Sequence, residues 1–208
     1  GVDGQQFTLL SNDGTGIFSN TSTLTGSGSS NAWDVALGDF DGDGDLDAYG
    51  AYWSGFDRLF INDGNGAFTD SGQALGTSRS RSVEAADLDG DGDLDIVVAN
   101  SSNPGWADQD LANDVLINDG SGNFTYLASF GLDQSYDLDL ADVNSDGHID
   151  AVVSNYLQPN TVWLNNGYGQ FTDSGNTLGI AVSGVLNYTE LGDLDGDGDI
   201  DAVITNNA

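Results

Sequence analysis

The residues of this chain that can do chemistry are aspartates, arranged at alternating positions in a nine-residue pattern that occurs four times. The pattern reads DFDGDGDLD over 39–47, DLDGDGDLD over 87–95, DVNSDGHID over 142–150 and DLDGDGDID over 193–201. In such a loop, side chains at positions 1, 3, 5 and 9 and the carbonyl of position 7 can wrap one ion, provided that a glycine at position 6 allows a sharp turn. The first loop offers Asp39, Asp41, Asp43 and Asp47 with the carbonyl of Asp45. The second offers Asp87, Asp89, Asp91 and Asp95 with that of Asp93. The third offers Asp142, Asn144, Asp146 and Asp150 with that of His148, and the fourth Asp193, Asp195, Asp197 and Asp201 with that of Asp199. Hard oxygen donors select calcium over zinc or copper, and a flexible loop with six or more donors suits calcium better than octahedral magnesium. About four calcium ions are expected. Unlike an EF-hand, the loop lacks a glutamate at position 12 and leads into a strand, so the ion is expected to staple a sheet rather than open a helix pair.

Composition supports bound metal and excludes several partners. The 208 residues carry 34 acidic side chains against three arginines and no lysine, for a formal charge of -31. Such a surface repels phosphate, which excludes nucleic acid and anionic membranes as partners, and its self-repulsion calls for cations. Without cysteine, neither disulfides nor thiolate zinc sites can support the fold. No apolar run reaches the roughly 20 residues of a membrane span and no leader is visible, so membrane insertion is not expected. The start at Gly1 and the absence of methionine suit a processed, secreted protein.

The elements that position these loops repeat with them. The loops begin about 50 residues apart, a period in the range of propeller blades. Out of phase with them runs a second marker: NDGTGIF from Asn12, NDGNGAF from Asn62, NDGSGNF from Asn118 and NNGYGQF from Asn165. Asn-Asp-Gly and Asn-Asn-Gly tolerate positive φ and read as hairpin turns. They lack the lysine of a phosphate-binding loop. Runs such as DIVVAN from Asp95, DAVVS from Asp150, VLIN from Val115 and TVWLN from Thr161 are rich in β-branched residues and read as strands. Each repeat is then strand, Asp loop, strand, connection, strand, hairpin, strand. Four short antiparallel strands in 40 to 50 residues are one blade of a β-propeller. A polar insert from Ser101 to Asn113 lengthens the second repeat.

A single all-β repeat domain over 1–208 follows, a propeller of four-stranded antiparallel blades. Its fourth blade would be completed by an N-terminal half (from Gln6) and a C-terminal half (to Thr205), either within one chain or between subunits. Within one chain the ring closes. Between chains the same strands would build a fibre or a larger ring, and a third reading is that the four repeats are a segment of a longer array.

The loops, the small-residue strands before them (VALGD, EAADL, DLADV, ELGDL) and the Asp-hydrophobic strands after them resemble FG-GAP or VCBS repeats, as in integrin alpha-subunit propellers. The likeness covers nearly the whole chain. It implies a calcium-stapled propeller of an extracellular or cell-surface protein, associated with adhesion and carbohydrate binding. The phenylalanine-glycine and glycine-alanine-proline signatures are degenerate here, and the family's usual ring has seven blades where this chain shows four repeats.

Other constellations are weaker. His148 is the only histidine and falls at the carbonyl position of a calcium loop, so no catalytic histidine remains and a non-enzymatic role is expected. Glu84, Asp139 and Glu190 each lie three residues before a loop; they could line a central channel, but the expectation is that they stand behind the loop ligands or in solvent. Trp33, Trp53, Trp106 and Trp163, with Tyr49 and Tyr52, are candidates for a sugar platform. Trp106 in the insert is the best of them, and Trp163 reads as core. Asn20, Asn100, Asn123 and Asn187 lie in glycosylation sequons. The expected function is a calcium-dependent extracellular interaction module whose partner is a protein, a glycan or a second copy of the chain. The alternatives are a filament subunit joined by terminal strands and a lectin.

Overall fold

The computed structural model describes residues 6–24, 26, 28–76, 79–101, 112–179 and 188–205. Trp106 and most of the insert that carries it, and Asn187, lie outside these residues. Among the described residues sixteen strands form three four-stranded antiparallel sheets and two two-stranded ones. Blade A comprises β3 (Ser30–Gly38), β4 (Asp47–Ser54), β5 (Arg58–Asn62) and β6 (Phe68–Asp70). Blade B comprises β7 (Ser80–Ala86), β8 (Asp95–Asn100), β9 (Asn113–Asn118) and β10 (Phe124–Phe130). Blade C comprises β11 (Ser135–Ala141), β12 (Asp150–Asn155), β13 (Asn160–Asn165) and β14 (Phe171–Leu178). The half-blades are β1 (Phe7–Asn12) with β2 (Phe18–Leu24), and β15 (Thr189–Gly192) with β16 (Asp201–Ile204). In each complete blade the strands pair in chain order, first to fourth, joined by the loops and turns that the repeat pattern anticipates. Among the described residues the two half-blades remain separate sheets.

The second strand of each complete blade is the most thoroughly buried, because it is covered on both faces. All six residues of β8 and of β12 are buried. Blade A meets blade B through Phe40, Tyr49, Leu59, Val83, Ile96 and Phe124, with the Phe124 ring edge-on to Phe40 at 5.6 Å and to Tyr49 at 5.9 Å. Blade B meets blade C through Val97, Val115, Phe130, Leu138 and Val153, and Phe171 stacks on Phe130 at 4.6 Å. Trp163 is a core residue, its ring 5.2 Å from Phe130 and its Nε1 donating to Thr161 Oγ1. Each fully buried large side chain contributes about 1.5–3 kcal/mol, so the interfaces between sheets, rather than any one sheet, hold the molecule together.

The first strands stand side by side, β3 next to β7, β7 next to β11, and β11 next to β15. Together they surround a cavity of about 280 Å³. Carboxylates on these strands bond the edge amides of the next: Asp34 Oδ2 accepts Val83 N at 3.0 Å, while Asp137 Oδ2 and Asp139 Oδ2 accept Thr189 N and Leu191 N, each at 2.7 Å. Glu84, Asp139 and Glu190 line this cavity, the less expected of the two readings their spacing allowed. Three of the first strands carry a β-bulge at the same level, which leaves Trp33, Arg81 and Tyr136 unpaired and turned to the cavity. A bulge re-aims one side chain out of the ladder's alternation. Here the Arg81 guanidinium lies 4.1 Å from the Trp33 ring centre, 4.6 Å from Trp53 and 4.3 Å from Tyr136.

Candidate metal centres

Each Asp loop is a ladder of side-chain to backbone bonds with a common register. The carboxylate at position 1 accepts the amide of the glycine at position 6: Asp39 from Gly44 at 3.0 Å, Asp87 from Gly92 at 3.1 Å, Asp142 from Gly147 at 2.8 Å and Asp193 from Gly198 at 3.1 Å. Position 3 accepts from the amide of position 5, and position 5 from that of position 7, as in Asp43 N to Asp41 and Asp45 N to Asp43. These bonds curl the chain so that the acidic side chains converge. The glycines at position 6 have φ between +90° and +97°. Position 4 is left-handed as well, with Gly42, Gly90 and Gly196 at +76°, +82° and +82°, and with Ser145 in the third loop at +58°. Sequence reasoning singled out only position 6. The glycine at position 4 in three of the four loops was the signal for the second turn.

Three compact triads result: Asp39, Asp41 and Asp43; Asp87, Asp89 and Asp95; and Asp193, Asp195 and Asp197. Within each, one oxygen of every carboxylate lies within 4.8 Å of the others. Asp91 adjoins the second triad, bonding through position 5 to the amide of Asp93 at 3.0 Å. The third loop gathers no such triad among the described residues. There the Asn144 amide Nδ2 donates to Asp146 Oδ2 at 2.9 Å, which supplies locally part of the positive charge that an ion would bring.

The aspartate at position 9 does something the pattern did not disclose. Asp47, Asp95 and Asp150 are fully buried. Through Oδ1 each accepts the amide of the asparagine ending the third strand: Asn62 at 2.8 Å, Asn118 at 2.9 Å and Asn165 at 2.8 Å. Through Oδ2 each accepts the amide of loop position 2, from Phe40, Leu88 and Val143. One carboxylate thus ties the loop to two strands. Burial raises all three above the usual carboxylate range, Asp95 to about 6. Asp201 has only the position 2 bond, from Leu194 N at 3.1 Å, and is exposed.

Position 7 also has a side-chain role. A Cβ on Gly64, Gly120 or Gly167 would collide with Asp45, Asp93 or His148 respectively. The hairpin glycine is favoured by its left-handed backbone, with φ of +75°, +73° and +78° at Gly64, Gly120 and Gly167, and its bare Cα lets the position 7 side chain lie against it. No described feature brings His148 to a nucleophile; its amide bonds to Asp146 Oδ1 at 2.9 Å.

The donor set fits a hard cation. Asp39 Oδ1 is buried without a hydrogen-bond partner, the kind of orphaned acceptor that a metal would satisfy. Asp89 is pushed up by burial and then by the charge of Asp91, a repulsion that an ion among these oxygens would relieve. Residues at positions 1, 3 and 5 would hold the ion, and Asp95 would join them in the second loop.

No curated protein matches the chain. The model of the FG-GAP-like repeat matches it four times, over residues 1–50, 39–98, 89–153 and 142–204. Each match takes in at least one Asp loop and runs on across the strands that flank it. With the match continuous from the first half-blade to the last, the chain belongs to the FG-GAP-like repeat family.

Proposed function

We propose that the protein is a non-enzymatic extracellular interaction module whose blades are stapled by calcium. The observation that carries this reading is the set of three convergent carboxylate triads, in the first, second and fourth Asp loops. Each staple would fix the turn between the first and second strands of a blade, just where a dense array of negative charge opposes folding. Among the described residues no helix is long and apolar enough to cross a membrane, and repeats of this type are typical of extracellular or surface proteins. Calorimetric titration of the metal-stripped protein tests the reading. Calcium should bind at three or more sites while an equal concentration of magnesium leaves most of them open. An absence of heat and of any stabilisation in millimolar calcium would overturn it.

A glycan-binding reading has one specific support. Trp33 and Tyr188, about half exposed, line the cavity together with Asp34, Glu84 and Glu190. Flat rings beside carboxylates suit a sugar, whose C–H face stacks while its hydroxyls donate. On this reading Trp33→Ala abolishes glycan binding. Binding that survives the change moves the platform elsewhere.

A further inference from the structure

The side chain of Asn118 reaches two Asp loops at once. Asn118 ends the third strand of blade B and is 2% exposed. Its Nδ2 donates to the Leu94 carbonyl at 3.2 Å, at position 8 of the second loop, and to the Phe40 carbonyl at 2.8 Å, at position 2 of the first. Only a donor suits a side chain that faces two carbonyl oxygens, which sets the orientation of the amide. Its Oδ1 is buried without a hydrogen-bond partner, so the bonds that the side chain makes go to the two loops. Its backbone amide donates to Asp95 Oδ1 at 2.9 Å, and Asp95 belongs to the second carboxylate triad. One residue therefore holds a candidate ligand of its own blade together with the backbone between Asp39 and Asp41, two candidate ligands of the blade before.

Blade C repeats the arrangement one step on. Asn165 donates its backbone amide to Asp150 of the third loop, and its Nδ2 to the Leu88 carbonyl at 2.9 Å, at position 2 of the second loop. Gly169 N, in the same hairpin, donates to that carbonyl at 3.1 Å. The hairpin of blade B lies just as close on the first loop. A Cβ on Gly42 would stand 3.1 Å from the Gly120 carbonyl, and one on Gly122 would stand 3.4 Å from Asp41 Cβ.

We infer that the asparagine ending the third strand is a positioning residue that couples neighbouring metal loops, so that calcium in the second loop raises the affinity of the first, and calcium in the first that of the second. The inference rests on the metal reading above. With the second loop filled, the Asp95 carboxylate and the Leu94 carbonyl are held in place. Asn118, bonded to both, is then fixed, and with it the Phe40 carbonyl. The ordering cost of the shared side chain is met once, and the next ion enters a loop already set. Burial sharpens the link: Phe40 and Leu88 are 0% and 1% exposed, and a carbonyl in such surroundings depends on its protein donors.

Calcium titrations of the metal-stripped protein, followed by the amide resonances of Gly44 and Gly92, give a separate midpoint for the first and second loops. Asp89→Ala removes a ligand of the second loop and should raise the midpoint at Gly44 about fivefold or more. Asp41→Ala should raise that at Gly92 by a similar factor, because coupling is reciprocal. Asn118→Leu keeps the volume and loses both donations. It should raise the Gly44 midpoint by itself, and adding Asp89→Ala to it should move that midpoint no further. A merely structural asparagine would lower the melting temperature and leave the two aspartate effects intact; that result, or an additive double variant, overturns the assignment. A Gly44 midpoint unmoved by Asp89→Ala, in a protein whose loops still fill, overturns the coupling and leaves the metal reading standing. Glycine amides that do not respond to calcium in the unaltered protein overturn both. Should Asn118→Leu fail to fold, the two aspartate variants decide.

Discussion

Calcium removal is the perturbation with the largest expected effect. An ion that binds the folded chain alone stabilises it by RT ln(1 + [L]/Kd). Extracellular calcium sites have Kd values of roughly 10⁻⁴–10⁻³ M, so at about tenfold excess each contributes roughly 1.4 kcal/mol. The structure provides three compact triads, which together supply about 4 kcal/mol, a large share of a net stability of roughly 5–15 kcal/mol. For a chain of this length 1 kcal/mol moves the melting temperature by about 2–4 °C, so excess chelator should lower it by roughly 8–16 °C. The assay is a thermal melt followed by circular dichroism over a series of free calcium concentrations. The midpoint should rise with the logarithm of calcium once the sites fill. A midpoint shifted by less than about 2 °C between chelator and saturating calcium would refute the reasoning, since 4 kcal/mol cannot hide in so small a change.

Three other outcomes follow from particular residues. Asp95→Asn replaces an acceptor of two backbone amides by a group that donates from one side. It should cost roughly 1–3 kcal/mol in a denaturant titration, while Asp201→Asn, exposed and tied once, should cost far less in dilute protein. Ser145→Gly should stabilise by about 1 kcal/mol because it relieves a left-handed residue; a loss of stability would show that the hydroxyl has a role of its own. Glu84 is raised to about 7 by burial and then by Asp139, Asp34, Asp137 and Glu190, and has no hydrogen-bond partner among the described residues. With its folded value above its unfolded one, the native state takes up a proton as pH falls through about 7, so stability rises on acidification until the unfolded chain is protonated too. At saturating calcium the wild type should therefore lose up to about 1.4 kcal/mol per pH unit between pH 5 and 7 relative to Glu84→Gln. Parallel curves for the two proteins would count against the buried charge.

The sequence by itself determined the Asp loops, the hairpins, the strands and the count of repeats. These are local properties: the candidate ligands of one ion lie within nine residues, and a turn is made by its own glycines and asparagines. The carboxylates of the cavity were marked by the repeat but not assigned by it: Glu84, Asp139 and Glu190 hold a constant offset from the loops, and only the packing of the first strands side by side brings them to one cavity. Only the tertiary structure decided what each aspartate does. Asp47, Asp95 and Asp150 look like any other ligand in the pattern, yet their burial and their double amide bonds depend on a third strand about 15–25 residues away. Asp57, pushed up to about 7 by burial, bonds the Tyr52 amide as Asn113 and Asn160 bond those of Asn100 and Asn155. No motif marks that role, since an acid and an amide serve equally as acceptors. The bulges that bring Arg81 between Trp33 and Tyr136 were equally hidden, because a strand's alternation gives no sign of where one residue is skipped. Whether a strand edge is covered depends on which segments meet in space, and no residue pattern along the chain carries that information.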